Sequence, residues 1–139
     1  MVNEPIADAI ILKDGDNYRM YATRVPDTNG CTIHEYVSNS LFGPYNHIGE
    51  DSFDKNTARM AGMFLTLANG QTIRPAQDCF GDYGKAVIMY DGHEELCRLS
   101  PTSYKHAGIH TFNTLGQTFV IDIKKYDFPL IYKLIRAIK

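Results

Sequence analysis

The sequence lacks most of the features that place a chain in a specialised class. It has no tryptophan, three cysteines and a formal net charge of −2 over 139 residues. No apolar run approaches the roughly 18 residues of a membrane-spanning helix, and the start lacks the basic and apolar segments of a secretory signal. The small charge also removes the basic signature of a nucleic-acid-binding protein. We therefore expect a cytoplasmic protein with no membrane span and no nucleic-acid partner.

Metal and disulfide frameworks are not expected either. The cysteines are an odd number without metal-ligand spacing: Cys31, Cys79 and Cys97. Such a set predicts reduced thiols that pack in a cytosolic protein, rather than a disulfide framework. Four histidines also lack paired ligand spacing: His34, His47, His93 and His106. The sequence thus predicts no metal site and no cofactor, with a cation bound in a central channel left open.

Three segments repeat a common pattern, at residues 7–19, 61–74 and 107–120. Each has a small-residue start, an apolar run, a glycine turn and a second apolar run. A period of about 50 residues built from β-hairpins is typical of propeller blades. Asp14-Gly15 and Asn69-Gly70 are hairpin turn dipeptides, and the segments around them are rich in strand-forming residues. Asp91-Gly92 begins a further turn, between strands predicted at 85–90 and 95–99.

These signals predict one all-β domain over residues 1–139, a partial β-propeller of about two and a half four-stranded blades. The blades are expected at 6–49, 58–101 and 107–136, the third being incomplete. Propellers close with at least four blades, and unpaired sheet edges promote aggregation. We therefore expect a homo-oligomer or a missing half of the propeller, with an open stack of sheets as a further possibility.

The last ten residues form an amphipathic pattern at helical spacing. The apolar members are Leu130, Ile131, Leu134, Ile135 and Ile138, and the basic members opposite are Lys133, Arg136 and Lys139. A short basic helix of this kind can touch a membrane or a partner. We favour the alternative, a last strand or a helix that packs on the sheet edge.

A polar cluster follows the predicted strand 71–74, in the run Arg74-Pro75-Ala76-Gln77-Asp78-Cys79 and the nearby Tyr83-Gly84. Arginine offers a planar donor fork, aspartate accepts from vicinal hydroxyls, and glutamine does both. The run therefore indicates a pocket for a polyhydroxylated ligand. The alternative is a structural turn in which Asp78 accepts backbone N–H groups.

Further candidates come from the other repeats. Asp8 lies beside an apolar strand, where an unpaired carboxylate is costly, so it is expected to face a central channel or to bond backbone amides. Arg59 and Arg74 are expected beside Asp78, as a phosphate- or uronate-binding pair or as structural partners. His110 and Thr111 follow the third repeat start, and His110 is predicted to share a strand face with the position of Asp8.

The predicted roles divide into two groups. The catalytic candidates are Asp8, Asp78 and His110. The ligand-binding candidates are Arg59, Arg74, Gln77, Tyr83 and Thr111. A histidine can serve as acid or base near neutral pH, although a structural role for His110 and a packing role for Tyr83 stay open.

Several strings together resemble one known propeller. They are Phe42-Gly43-Pro44 with His47, Arg59-Met60-Ala61-Gly62, Arg74-Pro75-Ala76-Gln77-Asp78, Tyr83-Gly84, Gly108-Ile109-His110-Thr111 and Val120-Ile121-Asp122. In this order they resemble the propeller domain of glucosamine inositolphosphorylceramide transferases and their bacterial relatives. That domain is similar to the five-bladed propellers of arabinanase- and invertase-type glycosidases. The resemblance covers about residues 5–125 and corresponds to the later blades only.

The resemblance implies a carbohydrate context more firmly than a reaction. In the glycosidase-type propellers, three carboxylates at inner strand ends act as base, acid and pKa modulator. Asp8 stands in the corresponding place, whereas Gly62 and Gly108 occupy it in the other repeats. The acid set is therefore incomplete in this chain.

We accordingly expect a carbohydrate-related module that binds a glycan or a sugar-containing acceptor in support of glycan biosynthesis. One alternative is a glycoside hydrolase in which Asp8 and Asp78 are the working pair. The other is a truncated propeller with an assembly role only.

Overall fold

A computed structural model describes residues 2–26, 30–103 and 105–138, without the side chains of Pro129, Tyr132, Arg136 and Ile138. The strands are β1 (Ile6–Asp14), β2 (Asn17–Arg24), β3 (Thr32–Ser38), β4 (Asn46–Ser52), β5 (Leu65–Thr66), β6 (Thr72–Asp78), β7 (Ala86–Asp91), β8 (Glu94–Leu99), β9 (His106–Leu115) and β10 (Thr118–Lys125). One helix follows, α1 (Pro129–Ile138). The predicted all-β class is confirmed for the described residues.

The strands form three antiparallel sheets in simple sequence order. Sheet 1 contains β1 to β4, sheet 2 contains β5 to β8, and sheet 3 pairs β9 with β10. Two-residue turns join successive strands where a glycine adopts positive φ, as at Gly15 (59°) and Gly92 (54°). The sequence predicts these hairpins from Asp14-Gly15 and Asp91-Gly92, and both are present. No closed sheet is formed by the described residues.

The first strand of each of sheets 1 and 2 is interrupted near its start. In β1 the pairing with β2 shifts between Ala7 and Ile10, and Asp8 has a φ of 55°. In sheet 2, Met60 bridges Ala76 ahead of the short strand β5. Such bulges redirect side chains away from the regular alternation of a strand. The bulge that contains Asp8 lies in β1, which is an edge strand of sheet 1.

The sheets pack against one another in chain order. One core cluster joins Ile33 of sheet 1 to Ala58 and Met60 before sheet 2, with Ile10 and Phe64 packed on it. A second cluster joins sheet 2 to sheet 3: its buried members are Ala61, Ile73, Val87, Met89 and Ile109. Burial of this apolar surface is the main stabilising contribution to the arrangement.

Sheet 3 and the helix leave apolar side chains exposed. In sheet 3 these are Leu115, Phe119, Val120 and Ile123, and in α1 they are Leu130, Ile131, Leu134 and Ile135. Of the expected alternatives, the last residues form a helix and not a strand, but the four apolar side chains of α1 named above are exposed rather than packed on a sheet edge. The predicted roles of Lys139 and of the side chains of Arg136 and Ile138 lie outside the described residues. No described helix is both long and apolar enough to cross a membrane.

Candidate functional site

A continuous chain of polar side chains connects the three sheets. Arg59 Nη1 donates to Asp8 Oδ2 at 3.1 Å, and the Arg59 guanidinium lies 5.6 Å from the centroid of the Tyr83 ring. The Tyr83 hydroxyl lies 2.5 Å from His110 Nε2, and His110 Nδ1 lies 3.1 Å from Asp122 Oδ2. We call these five residues the polar chain; it is the candidate site.

Asp8 enters the polar chain because of the β1 bulge. A left-handed backbone is tolerated by aspartate better than by most residues, yet it is still uncommon outside glycine. Among the described residues Asp8 is the sole non-glycine with positive φ. Strained backbone of this kind is found preferentially at functional sites. Its carboxylate pairs with Arg59 across the connection from sheet 1 to sheet 2, and within the described part of the chain it accepts no backbone amide.

The equivalent positions in the other repeats are glycines for a steric reason. A Cβ added at Gly62 would lie 1.9 Å from the Phe112 carbonyl oxygen, and one at Gly108 would lie 2.0 Å from the Gly84 carbonyl oxygen. No side chain fits at such a distance. Neighbouring backbone therefore occupies the place of the repeated acid at these two positions.

Asp122 orients His110. It accepts the backbone N–H groups of His110 at 2.9 Å and of Thr111 at 2.5 Å, besides contacting the imidazole. Burial alone would raise the pKa of Asp122, but these amides and the imidazole lower it below its usual value. The sequence predicts no role for Asp122, because the β9–β10 register shifts between Ile121 and Ile123. That shift decides which face the carboxylate takes.

Three clefts surround the polar chain. One of about 190 Å³ is lined by Asp8, Gln77 and Thr111 among others. One of about 330 Å³ is lined by Arg59, Cys79 and Tyr83 among others. A third, of about 220 Å³, is lined by Tyr83, His110 and Lys124 among others. The structure thus brings Thr111 rather than His110 into the cleft of Asp8, and the prediction that His110 shares that face is wrong.

Arg74 does not join the polar chain. It is only 7% exposed, and its Nη1 donates to the carbonyl oxygens of Thr57 and Ala58 at 3.3 and 3.2 Å. Its guanidinium lies over the rings of both Phe53 and Tyr90, at 4.3 and 5.0 Å from their centroids. Burial lowers the pKa of Arg74 to about 10. The predicted pair of Arg74 with Arg59 beside Asp78 is wrong, and these contacts are those of a structural arginine.

Asp78 is also held by other partners. Its carboxylate pairs with Arg98, lies 3.3 Å from Lys85 Nζ and accepts the backbone N–H of Phe80 at 3.0 Å. Burial alone would raise the pKa of Asp78, but the Phe80 amide and the two cations lower it. The alternative of a turn that accepts a backbone N–H describes Asp78 better than a ligand pocket does.

Gln77 and the cysteines agree only in part with what the sequence predicts for them. Gln77 is buried and donates from Nε2 to the Met60 carbonyl oxygen at 2.8 Å, so part of its hydrogen-bonding capacity is already used. The three cysteines are free thiols, but Cys97 is exposed and does not pack. Burial raises the pKa of Cys79, which makes it a poor nucleophile near neutral pH.

The Asp78 contacts predict a pH-dependent loss of stability in the Asp78→Asn variant. Because the folded-state pKa is lowered, the carboxylate's contribution is fully present above the unfolded pKa of about 4 and is lost progressively as the pH falls from there through the lower folded-state pKa. At pH 7 we expect Asp78→Asn to lower the free energy of unfolding by about 2 kcal/mol. At pH 3 the deficit of the variant in free energy of unfolding should be smaller than at pH 7. An equal deficit in the free energy of unfolding at both pH values would contradict an ionic contribution of Asp78. The control is Asp14→Asn, which removes an exposed pair with Arg19.

Comparison with known proteins supports a distant similarity only. The chain is 24% identical over 116 residues to glucosamine inositolphosphorylceramide transferase 1 of Oryza sativa subsp. japonica, and equally to that of subsp. indica. The aligned part covers 79% of this chain and 15% of each relative, so the chain spans a small part of their length. No family model and no solved structure matches the chain. The resemblance to these transferases is thus supported as a weak one, whereas its propeller architecture stays a prediction.

Proposed function

We propose that this chain is part of a β-propeller that binds a sugar-containing ligand in the clefts around the polar chain, in support of a glycan-building enzyme. The observation that carries the proposal is the meeting of Asp8, Arg59, Tyr83 and His110 from three successive sheets. Propellers place their ligand sites where several blades meet around an axis. The three sheets are then successive blades.

The chemistry of the polar chain suits a polyhydroxylated ligand. Arg59 supplies a planar donor fork, and Asp8 accepts from hydroxyls. The Tyr83 ring is half exposed (50%), so its face can stack on a sugar ring while its hydroxyl keeps the bond to His110. Since the Asp8 carboxylate already neutralises the charge of Arg59, Arg59 would act through its other N–H donors, which suit the hydroxyls of a neutral sugar or the oxygens of a single phosphate.

The names of the two rice relatives include glucosamine and inositolphosphorylceramide. We propose that the ligand of this chain comes from the same chemical class, an amino sugar or an inositol phosphate group. The remaining blades would come from a longer chain or from further copies, which would also cover the exposed apolar face of sheet 3.

The glycoside hydrolase alternative is weakened because Asp78, its second carboxylate, is unsuited to the role of general acid. A general acid needs a raised pKa, whereas Arg98 and Lys85 keep Asp78 ionised. Asp122 is the carboxylate that contacts His110. Its oxygens already accept two backbone N–H groups and contact the imidazole, so it does not replace Asp78 as the second acid. Binding therefore accounts for the geometry better than bond cleavage.

Binding to a glycan array tests the proposal. We expect the wild-type chain to retain a set of amino-sugar or inositol-phosphate ligands, and Arg59→Ala to weaken that binding at least tenfold. A hydrogen bond from a charged donor contributes about 1.5–3 kcal/mol, and tenfold corresponds to about 1.4. Arg19→Ala removes an arginine that pairs with Asp14 and Glu35 in sheet 1 and is the matched control.

Two results would contradict the proposal. One is the absence of binding to any glycan on the array by the folded wild-type chain. The other is binding by Arg59→Ala that equals binding by the wild type, because the guanidinium would then lie outside the ligand site.

A further inference from the structure

A second cluster of polar side chains lies in sheet 1, separate from the polar chain. His34 Nδ1 is 3.3 Å from His47 Nε2 and 3.4 Å from Glu50 Oε2. The ligating atoms of the three residues all lie within 4.8 Å of one another. None of the three lines the clefts of the polar chain.

Strand pairing brings the cluster together from residues that are far apart in sequence. In the β3–β4 register, His34 is directly opposite Glu50, and Tyr36 is opposite His47. His34 and Tyr36 are two residues apart and so point to the same face of the sheet. A register shift between Glu35 and Tyr36 adds the extra residue that separates His47 from Glu50. The sequence spacing alone therefore gives no sign of the cluster.

We propose that His34, His47 and Glu50 form a binding site for a late first-row divalent cation, of which Zn²⁺ is the best fit. Two imidazoles and one carboxylate are a donor set that Zn²⁺ accepts, with water in the fourth position. This assigns a metal to a part of the chain where the sequence predicts none.

The distances fit a tetrahedral ion. Zinc binds histidine nitrogen and carboxylate oxygen at about 2.0–2.2 Å, so two ligands of one tetrahedral ion lie roughly 3.3–3.5 Å apart. The two separations from His34 Nδ1, 3.3 Å to His47 Nε2 and 3.4 Å to Glu50 Oε2, agree with this ligand-to-ligand distance. The remaining pair, His47 with Glu50, needs at most a small movement. Both side chains are exposed, so they can adjust and the ion can enter from solvent.

The surroundings prepare His34 as a ligand. His34 is 2% exposed, and its Nε2 has no hydrogen-bond partner among the described residues; its ring is held through Nδ1, the atom that points into the cluster. The positive charge of the nearby Arg24 is balanced by its pair with Glu4 at 2.6 Å, which reduces its repulsion of a bound cation.

The ring of His47 is fixed from its other side. It packs edge-on against Tyr36, with 5.3 Å between ring centroids, and at 5.3 Å from the His34 ring. Preorganised ligands reduce the conformational entropy that metal binding would otherwise cost. A bound ion would join β3 to the outer strand β4, and binding to the folded state alone would stabilise it.

Titration of the untagged, chelator-treated full chain with Co²⁺ and then Zn²⁺ tests the site. We expect one Co²⁺ per chain, the visible absorption of a four-coordinate ion with nitrogen and oxygen ligands, displacement by Zn²⁺, and a higher melting temperature with Zn²⁺. Glu50→Gln should weaken binding tenfold or more, and His47→Ala should weaken it further. Both positions are exposed, so both variants should fold.

His93→Ala and Cys97→Ser are the controls. His93 pairs with Asp51 at 2.9 Å at the surface, and Cys97 is an exposed thiol that binds soft cations; both variants should bind Co²⁺ as the wild type does. The proposal is overturned if the chain binds no Co²⁺, if His47→Ala binds it with unchanged affinity, or if binding disappears in Cys97→Ser.

Discussion

Replacement of Arg74 by alanine is expected to lower the free energy of unfolding by about 2–3 kcal/mol. The variant loses two hydrogen bonds from a charged donor, to the carbonyl oxygens of Thr57 and Ala58. These oxygens lie in the connection between sheets 1 and 2, so their loss loosens the contact between the sheets. The expected loss is measured by urea unfolding at pH 7.

The contacts of Arg74 with two aromatic rings add to the expected loss of stability, whereas the cost of burying its charge reduces that loss. A guanidinium over an aromatic ring contributes about 2 kcal/mol where it is desolvated, and Arg74 lies over both Phe53 and Tyr90. Against this, the buried charge costs free energy in the folded state, which is the cause of its lowered pKa. We therefore expect a net effect below the sum of the individual contacts.

Two comparisons make the Arg74 experiment decisive. Arg19→Ala, at an exposed arginine, should leave the unfolding midpoint almost unchanged. If instead Arg74→Ala kept full stability and lost glycan binding, Arg74 would be the ligand residue that its sequence context suggests, and the structural assignment would be wrong.

Gly108→Ala is expected to have an effect of at least about 3 kcal/mol, at the upper end of overpacking substitutions. The added Cβ would lie 2.0 Å from the Gly84 carbonyl oxygen and 3.2 Å from the Lys85 Cα. These atoms belong to the backbone, which cannot rotate away as a flexible side chain can. Either β9 moves away from the β6–β7 loop, or that loop is displaced.

The damage should concentrate where sheet 3 meets sheet 2. Hydrogen exchange should show faster exchange of amides in β9 and β10 than in sheet 1, because Ile109 of β9 packs in the core cluster shared with sheet 2. Gly49→Ala is the matched control. Its added Cβ would meet only the Glu35 side chain at 3.9 Å, an ordinary contact. Equal stability of Gly108→Ala and the wild type would contradict the close approach of the two sheets.

The sequence predicts the hairpins well because their determinants are local. Glycine after aspartate fixes a tight turn, and alternating apolar residues fix the strands on either side. The strand predicted at 85–90 corresponds to β7 (Ala86–Asp91), and that at 95–99 to β8 (Glu94–Leu99). The repeat starting with Ala61 is less regular, because backbone of sheet 3 comes close at Gly62.

The candidate site is harder to predict because it depends on alternation and on register. Arg74, Gln77 and Asp78 are close in sequence, but strand alternation sends Gln77 to the face opposite Arg74 and Asp78. The cluster in the sequence is therefore divided between two faces in the fold. Asp8, Arg59, Tyr83 and His110, by contrast, come from separate segments, and only tertiary structure shows that they meet.

The partner of the apolar faces of α1 and sheet 3 is a second feature that the sequence does not predict. The helical spacing of Leu130, Ile131, Leu134 and Ile135 is correctly read from the sequence, but no sequence pattern states what an apolar face packs against. They are exposed, as are Phe119 and Val120 in β10, and exposed apolar side chains that lie together mark interaction surfaces. This exposed surface is the physical basis for proposing that further blades or copies cover it.

The most direct test of the whole account is chemical-shift mapping of the best array ligand on the isotopically labelled chain. We expect saturating ligand to shift the amides of Ala9 in sheet 1, Gly84 between β6 and β7, and Thr111 in sheet 3 together, with a single dissociation constant. Shifts confined to one sheet, or a set centred on Arg74 and Phe53, would contradict a site assembled from three sheets.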